Sequence, residues 1–156
     1  MMRDVPSRIV IIGGGATGVE FAHLYRSYGS EVTLVEMLPR LIPNEDQEVS
    51  SQLERSFRGR GIECRTSTSV QSIAVNGKLA TLTLADQNGQ DAIECDKVLV
   101  AVGVQGNLEE IGLEQLGIDT QHGFISIDDN MQTSVQGVYA IGDVTGKLLL
   151  AHVASA

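Results

Sequence analysis

Residues 8–18 read RIVIIGGGATG, an apolar run followed by three glycines in the spacing G-x-G-x-x-G. The run predicts a buried strand, and Gly13 permits the tight turn that leaves it. Gly15 allows the backbone to approach a pyrophosphate, and Gly18 allows the next helix to pack closely. The positive end of that helix then faces the phosphates. The stretch therefore predicts a strand and helix unit that binds a dinucleotide.

An acidic residue follows this loop at the spacing that a dinucleotide site requires. Glu36 ends the second apolar run, residues 32–35, and lies 18 residues beyond Gly18. Its carboxylate can accept hydrogen bonds from adenosine ribose hydroxyls, whereas a 2′-phosphate about 4 Å away would be repelled by up to ~4 kcal/mol. We therefore predict a preference for NAD over NADP. S-adenosylmethionine, whose sites also combine a glycine-rich loop with an acidic residue, is the alternative ligand.

The composition restricts the classes of partner. A chain of 156 residues with 42% apolar residues can bury one ordinary core but hardly two complete domains. Its net charge of −9 argues against nucleic acid or an anionic membrane surface as the main partner. Neither a secretory signal nor an apolar run of transmembrane length occurs, and we expect a cytoplasmic location.

The cysteines and histidines do not form a recognisable redox or metal motif. Cys64 and Cys95 lie 31 residues apart, in neither a C-x-x-C nor a C-x₄-C arrangement. Reduced thiols without a function are the favoured interpretation. His23, His122 and His152 are scattered along the chain, so we predict no metal site.

The remaining pattern alternates strands, helices and turns. Helices are predicted over residues 16–28 and about 45–58, and strands over 31–35, 62–65, 70–75, 79–84 and 97–103. Asn76-Gly77 is a hairpin turn signal, and we assign the three short strands between residues 62 and 84 to an antiparallel meander. The last strand is an apolar run that ends in Gly103, where a bound cofactor can lie close to the sheet edge.

Residues 104–156 differ from the preceding residues in their sequence pattern. Only short strands are predicted there, over 124–127 and 138–141, and polar turns separate them. The second of these strands leads into Gly142-Asp143. The Asp143 carboxylate would project from a strand end, a position suited to accept hydrogen bonds from the hydroxyls of a second, sugar-like ligand. Taken alone, a purely structural turn is the better interpretation of this pair.

Together these segments resemble the pyridine nucleotide disulfide oxidoreductases, and among them most closely the dihydrolipoamide dehydrogenases. Residues 11–20 are similar to the NAD loop of the family, and Gly103 to its second glycine contact. Residues 133–143 resemble its second flavin motif, and residues 150–152 the segment that follows. The resemblance implies an α/β, Rossmann-like FAD/NAD(P)-binding domain with a central parallel sheet, helices on one face and an antiparallel β-meander on the other.

The resemblance also implies two cofactors, NAD and FAD, and the residues that contact them. The pyrophosphate would be contacted by Gly13, Gly14, Gly15, Ala16, Thr17 and Gly18. Glu36 would bind the adenosine ribose, and Glu20 the nicotinamide-side ribose region. Val70 would contact the adenine end of NAD, and Gly103 the nicotinamide end. In the FAD site, Asp143 would bind the ribityl chain. The isoalloxazine would be bordered, mainly through backbone groups, by Leu149, Leu150, Ala151 and His152.

The same resemblance implies a piece of a longer enzyme, with a leader over residues 1–6, an NAD-binding domain over 7–104 and a returning part of the FAD-binding domain over 105–156. The sequence contains no amino-terminal FAD fingerprint, no C-x₄-C redox disulfide and no carboxy-terminal His-Glu pair. We therefore predict no catalytic residue and no activity for this chain alone. The full enzyme would transfer hydride between NAD and FAD and exchange electrons with dihydrolipoamide.

Two departures from the family pattern leave the subfamily open. Residues 104–107 replace a Gly-Arg-Arg-Pro-Asn-like run, and residues 147–149 replace a Gly-Pro-Met-like run. An NADH oxidase or mercuric reductase-like enzyme is therefore an alternative parent, and a noncatalytic NAD-sensing module is a second alternative. Exposure of apolar residues such as Leu148, Leu149 and Leu150 would favour a homodimer.

Overall fold

The computed structural model describes residues 4–155, which form two compact units. The first unit extends to Gly103, and the second begins at Val104. Each unit has a hydrophobic core of its own. Residues 1–3 of the predicted leader and the terminal Ala156 lie outside the described residues. No helix among residues 4–155 is long and apolar enough to cross a membrane.

The first unit contains a parallel sheet and an antiparallel sheet. In chain order its elements are β1 (Arg8–Ile12), α1 (Ala16–Ser27), β2 (Glu31–Val35), α2 (Gln47–Gly59), β3 (Ile62–Arg65), β4 (Ser69–Asn76), β5 (Leu79–Asp86), β6 (Gly89–Cys95) and β7 (Lys97–Val100). Strands β3, β2, β1 and β7 form, in that order, a parallel sheet, and β4, β5 and β6 form an antiparallel one. The predicted α/β fold with a parallel sheet is confirmed.

The two faces of the parallel sheet bury different partners because side chains alternate along each strand. Ile9 and Ile11 of β1 face the helices and share a cluster with Ala22 of α1. Val10, between them, belongs to a second cluster that includes Leu82 of β5. The prediction of helices on one face and a meander on the other is therefore confirmed. Because β1 is buried on both faces, its residues 9–12 are all apolar.

Three strand assignments in the first unit differ from the prediction. Strand β7 ends at Val100 instead of Gly103. Strand β3 has the predicted bounds, but it pairs in parallel with β2 instead of joining the antiparallel meander. The third strand of the meander is β6, which the sequence pattern did not reveal because Asp91, opposite the buried Leu84, interrupts its short apolar alternation. The hairpin turn between β4 and β5 is confirmed, and Gly77 has the positive φ of +64° that such a turn requires.

The second unit has little regular secondary structure. Its elements are α3 (Leu113–Leu116), β8 (Thr120–Gln121), β9 (Phe124–Ile125), a 3₁₀ turn at Asp143–Thr145 and α4 (Ala151–Ala154). A small core forms around Ile118, Ile125 and Ala140. The strand predicted over residues 124–127 is thus shortened to β9.

The prediction of a strand over residues 138–141 is wrong. These residues contribute only an isolated bridge between Gln132 and Tyr139. Both the N–H and the hydroxyl of Thr133 donate to the carbonyl oxygen of Val138, at 2.9 and 3.0 Å. The bond from the Thr133 N–H is one of the two backbone bonds of this bridge, and the other runs from the Ala140 N–H to the Met131 carbonyl at 3.0 Å. The pairing does not extend beyond this bridge, so no strand forms.

Candidate nucleotide-binding site

The loop from β1 to α1 lies where the carboxyl ends of the parallel strands meet. The Gly13 N–H donates to the carbonyl oxygen of Val35, at the end of β2, at 2.8 Å. Gly13 has a φ of +107°, and a Cβ there would collide with the carbonyl of Ala101 beyond β7. A Cβ at Gly18 would collide with the carbonyl of Gly13. The protein's own packing therefore requires glycine at both positions, in agreement with the motif.

Gly15 differs from these two glycines. It is the N-cap residue of α1, in an extended conformation with a φ of −73°, and a Cβ there would meet no atom of the described residues within 4 Å. Neither strain nor packing accounts for glycine here, whereas a ligand close to the backbone would. No side chain in the described part of the chain caps α1, so its first-turn N–H groups remain available to an anion.

Gly14 is buried and held by the segment that follows β2. Its N–H donates to Oε2 of Glu36 at 2.6 Å, and its carbonyl oxygen accepts the N–H of Ile42 at 2.7 Å. A Cβ on Gly14 would come within 2.7 Å of the fully buried Leu41 side chain. Sequence reasoning missed Leu41 and Ile42, because both lie in a proline-bounded loop without periodicity.

Glu36 lies at the end of β2 with only 9% of its surface exposed. Besides the bond from Gly14, its carboxylate accepts the N–H of Leu38 through Oε1 at 2.7 Å. The backbone of Glu36 donates to the carbonyl of Arg65 and accepts from the N–H of Thr68, both at 2.9 Å. A carboxylate offers about four lone-pair positions. Glu36 is therefore fixed in place and retains capacity to accept hydrogen bonds from ribose hydroxyls.

The other residues assigned to NAD are exposed or half-buried. Ala16, Thr17 and Glu20 are exposed on the first two turns of α1. Val70, at the start of β4, packs against the core between the two sheets, so only part of its side chain is available to adenine. Gly103 is exposed beyond the carboxyl end of β7, with a φ of +120°. Open α/β sheets bind their ligands at this edge.

The residues assigned to FAD all belong to the second unit and are all exposed. Asp143 begins the 3₁₀ turn. Leu149 and Leu150 expose about half of their surface, and Leu150 precedes α4, whose first residues are Ala151 and His152. The residues assigned to FAD therefore present one carboxylate and several apolar side chains to solvent.

The two cysteines lie in β3 and at the end of β6, and both are free thiols. Burial, reinforced by the nearby carboxylate of Glu54, raises the pKa of Cys64 to about 11. Burial also raises the pKa of Cys95. Because the thiolate is the reactive form, both thiols are poor nucleophiles. Within residues 4–155, no three His, Cys, Asp or Glu side chains are grouped so as to hold a metal ion.

A parallel sheet with helices on one face, a glycine-rich turn into α1 and a carboxylate bonded to that turn define a Rossmann-like α/β protein of the nucleotide-binding type. The chain belongs to the pyridine nucleotide-disulphide oxidoreductase family, whose profile matches residues 2–156. Members of this family use FAD and NAD. The resemblance predicted from the sequence is confirmed.

Curated relatives of the chain are oxidoreductases. The dihydrolipoyl dehydrogenase of Mycobacterium leprae is 46% identical over 157 residues, which cover 100% of this chain and 34% of the relative. That of Chlorobaculum parvum is 45% identical over 158 residues, with the same two coverages. The chain thus spans about a third of the length of these relatives, and the predicted similarity to dihydrolipoamide dehydrogenases is confirmed.

Solved structures agree with this assignment. LpdA from Mycobacterium tuberculosis superimposes with a TM-score of 0.87 at 32% identity, over 99% of this chain and 33% of that one. The HOCl-induced flavoprotein disulfide reductase RclA from Escherichia coli superimposes with a TM-score of 0.84 at 26% identity, over 98% and 34%. The fold is therefore that of the flavoprotein disulfide reductases.

Proposed function

We propose that this chain contains the NAD(H)-binding module of an FAD-dependent oxidoreductase similar to dihydrolipoamide dehydrogenase. The observation that carries the proposal is the Glu36 carboxylate on the glycine loop, where Oε2 accepts the N–H of Gly14. A pyrophosphate at the start of α1 would place the adenosine ribose beside the end of β2. In this proposal residues 7–104 are the NAD-binding domain, and residues 105–156 are part of the FAD-binding domain.

The residues of the first unit would bind and orient the nucleotide. The glycine loop and the first-turn N–H groups of α1 hold the pyrophosphate. Glu36 accepts hydrogen bonds from the ribose hydroxyls and repels a 2′-phosphate. Val70 borders the adenine, while Glu20 and Gly103 lie toward the nicotinamide-side ribose and the nicotinamide. When bound, NAD supplies the hydride chemistry, and the protein supplies position and electrostatics.

The second unit would contribute part of an FAD site. Asp143 has an exposed carboxylate that suits the hydroxyls of a ribityl chain, and residues 149–152 offer apolar side chains and backbone groups to a flavin ring. The sequence has no C-x₄-C pair, and the curated relatives are about three times longer. We therefore expect the 156-residue chain to bind NADH without FAD, and to have no dehydrogenase activity by itself.

Another flavoprotein disulfide reductase is the second candidate for the parent enzyme. The fold of RclA matches this chain nearly as well as that of LpdA, so the fold alone does not choose between substrates. The higher identity to the dihydrolipoyl dehydrogenases supports dihydrolipoamide as the substrate of the parent.

Calorimetric titration of the chain with NADH, NADPH and FAD tests the proposal. We expect NADH to bind more tightly than NADPH, and FAD not to bind. Glu36→Ala should bring the two nicotinamide nucleotides to similar affinity, because it removes both the ribose acceptor and the repulsion. Glu31→Ala is the matched control, since Glu31 is exposed at the opposite end of β2.

The ratio of the NADH and NADPH affinities distinguishes a loss of ribose recognition from a loss of folding. A variant with a damaged loop would lose NADH and NADPH in equal proportion, whereas a variant without the recognising carboxylate changes the ratio. Equal affinity for both nucleotides in the unaltered chain, or an unchanged ratio in Glu36→Ala, would contradict the proposed role of Glu36. Tight FAD binding would contradict the proposed division of the chain.

A further inference from the structure

The side chain of Arg65 joins the two sheets of the first unit. Arg65 is the last residue of β3, and its Nη1 donates to Oδ2 of Asp91 in β6 at 2.8 Å. Its Nε donates to Oε1 of Glu63, in the same strand, at 2.7 Å. Among residues 4–155, the pair with Asp91 is the one ion pair between the parallel sheet and the meander. The bond from Arg65 holds the pKa of the Asp91 carboxyl below its ordinary value, so the pair is charged at neutral pH.

The order of strands in the parallel sheet indicates where each part of the proposed nucleotide lies. The pyrophosphate is at the turn after β1, and the adenosine ribose is at Glu36, after β2. The nicotinamide lies toward Gly103, beyond β7. Because the strand order is β3-β2-β1-β7, the adenine on the other side of the ribose would lie beside the end of β3. Arg65 is at this end, and its carbonyl oxygen accepts the N–H of Glu36 at 2.9 Å.

The meander brings Val70 to the adenine end of the proposed site. Val70 lies opposite Leu84 in β5, and Leu84 lies opposite Asp91 in β6. Directly opposed residues of an antiparallel pair share a face, so these three residues form a row about 10 Å long across the meander. Leu84 is buried between the two sheets, and the row therefore faces the parallel sheet. Arg65 holds one end of this row, and Val70 is the other end.

The meander is tied to the parallel sheet by different bonds at the amino ends of the parallel strands. There the N–H of Arg8 donates to the carboxylate of Asp96 at 2.7 Å, and the N–H of Asp96 donates to the carbonyl oxygen of Arg8 at 3.0 Å. Both bonds lie at the end of β1 that is opposite to the glycine loop. At the carboxyl ends, apolar packing holds the sheets together without a preferred direction, whereas the pair of Arg65 and Asp91 favours one distance and one direction.

We infer that Arg65 is a positioning residue for the adenine end of the nucleotide: through Asp91 it sets how far the meander, and with it Val70, stands from Glu36. The inference rests on the proposed function, because it takes NAD(H) to be the ligand. Arg65 acts through the meander and not by contact with the nucleotide. Because exposed ion pairs contribute little to stability, loss of this pair should change nucleotide binding more than folding.

Removal of either partner tests the role of the pair. Asp91→Ala should weaken NAD⁺ binding about two- to fivefold, the range that corresponds to a partly exposed ion pair. Arg65→Met, which keeps the apolar stem of the side chain, should cause a similar loss. The double variant should lose no more than either single variant, because both substitutions remove the same pair. Glu63→Ala is the matched control, since Glu63 pairs with Arg65 inside β3 and does not link the sheets.

Saturation-transfer NMR with NAD⁺ shows which half of the nucleotide has lost contact with the protein. In Asp91→Ala, the signal of the adenine protons should fall relative to that of the nicotinamide protons. General loosening of the first unit would lower both signals in proportion. The thermal unfolding midpoint of each variant should stay close to that of the unaltered chain.

The outcomes distinguish this inference from the proposed function. No saturation transfer from the unaltered chain to NAD⁺ would contradict the proposed function, and the inference with it. Transfer to both halves, with the same ratio in Asp91→Ala as in the unaltered chain, would overturn only the role of Arg65. An equal loss of affinity in Glu63→Ala, or losses that add in the double variant, would overturn it as well.

Discussion

The carboxylate of Glu36 and the backbone N–H of Gly14 are joined by a 2.6 Å hydrogen bond across 22 residues of sequence. Both residues are buried. An N–H group that loses its acceptor in such a place costs about 1–3 kcal/mol, so this bond helps to hold the loop before any ligand binds. The residue proposed to recognise the ribose is therefore also a residue that shapes the pyrophosphate loop.

Replacement of Glu36 by glutamine should loosen the loop without a nucleotide present. Gly14 and Leu38 donate to different oxygens of the carboxylate. The amide of Glu36→Gln keeps only one of these oxygens, so one of the two N–H groups would face the NH₂ group, which cannot accept. We expect faster hydrogen exchange at one or both of these backbone amides, and a stability loss of about 1–3 kcal/mol. Glu31→Gln should leave both exchange rates unchanged. Equal protection in Glu36→Gln would mean that other contacts hold the loop.

Gly15→Ala should mainly weaken NADH binding, whereas Gly18→Ala should mainly weaken folding. At Gly15 a Cβ has free space, so the substitution should cost at most about 1 kcal/mol, the usual cost of alanine at an N-cap. It should nevertheless weaken NADH binding at least about tenfold, because the methyl group occupies ligand space. At Gly18 the Cβ would collide with the Gly13 carbonyl, which should cost about 3 kcal/mol.

Denaturant unfolding and NADH titration of both variants measure this difference. Normal NADH affinity in Gly15→Ala would indicate that no ligand approaches the backbone there. Normal stability in Gly18→Ala would indicate that the loop and α1 can separate at little cost.

Truncation of Leu41 should destabilise the first unit. Its side chain is fully buried in the helix-side cluster and contacts the position of Gly14. Leu41→Ala should cost about 2–5 kcal/mol, as for other buried leucines. Leu38→Ala, three residues earlier and 42% exposed, should change stability by less than about 0.5 kcal/mol. Similar unfolding midpoints for the two variants would show that Leu41 is not a structural anchor.

Cys64 should react with alkylating reagents only at high pH. Burial raises its pKa from 9.0 to about 11, so below pH 9 its thiolate fraction is about a hundredfold smaller in the folded than in the unfolded chain. The alkylation rate should rise about tenfold per pH unit up to pH 11. Peptide mass spectrometry distinguishes alkylation of Cys64 from that of Cys95. An alkylation rate of Cys64 that reaches a plateau near pH 9 in the folded chain would contradict the raised pKa.

The same pKa difference makes stability depend on pH. The folded state of Cys64 binds its proton more tightly than the unfolded state. The corresponding stabilisation is therefore complete below about pH 9, and is lost as the pH rises toward 11. Unfolding midpoints measured across this interval should decrease, and Cys64→Ser should reduce that decrease.

Local sequence patterns predicted strands better than they predicted strand partners. β2 and β3 have the bounds expected from their apolar residues. The partner of β3 was wrong, because pairing depends on the whole sheet and not on four residues. β6 was missed because only Ile93 and Cys95 of this strand face the core, too few to stand out against its charged residues.

The geometry of the glycine loop was predictable to the same extent. The spacing of Gly13, Gly15, Gly18 and Glu36 reflects local backbone requirements, and it correctly located the turn and the end of β2. The contacts of Leu41 and Ile42 with Gly14 depend on how a loop without periodicity folds back over the turn. Such a long-range contact leaves no signal in spacing or composition.

In the proposed site, the double use of the Glu36 carboxylate would limit a conversion of the coenzyme preference to NADP. Replacing an acidic residue at the end of the second strand by a neutral or basic one removes the repulsion toward a 2′-phosphate. Here the same change would also take the acceptor from two backbone N–H groups. A successful conversion would need a new acceptor for Gly14 and Leu38, so coenzyme preference and loop geometry would have to be engineered together.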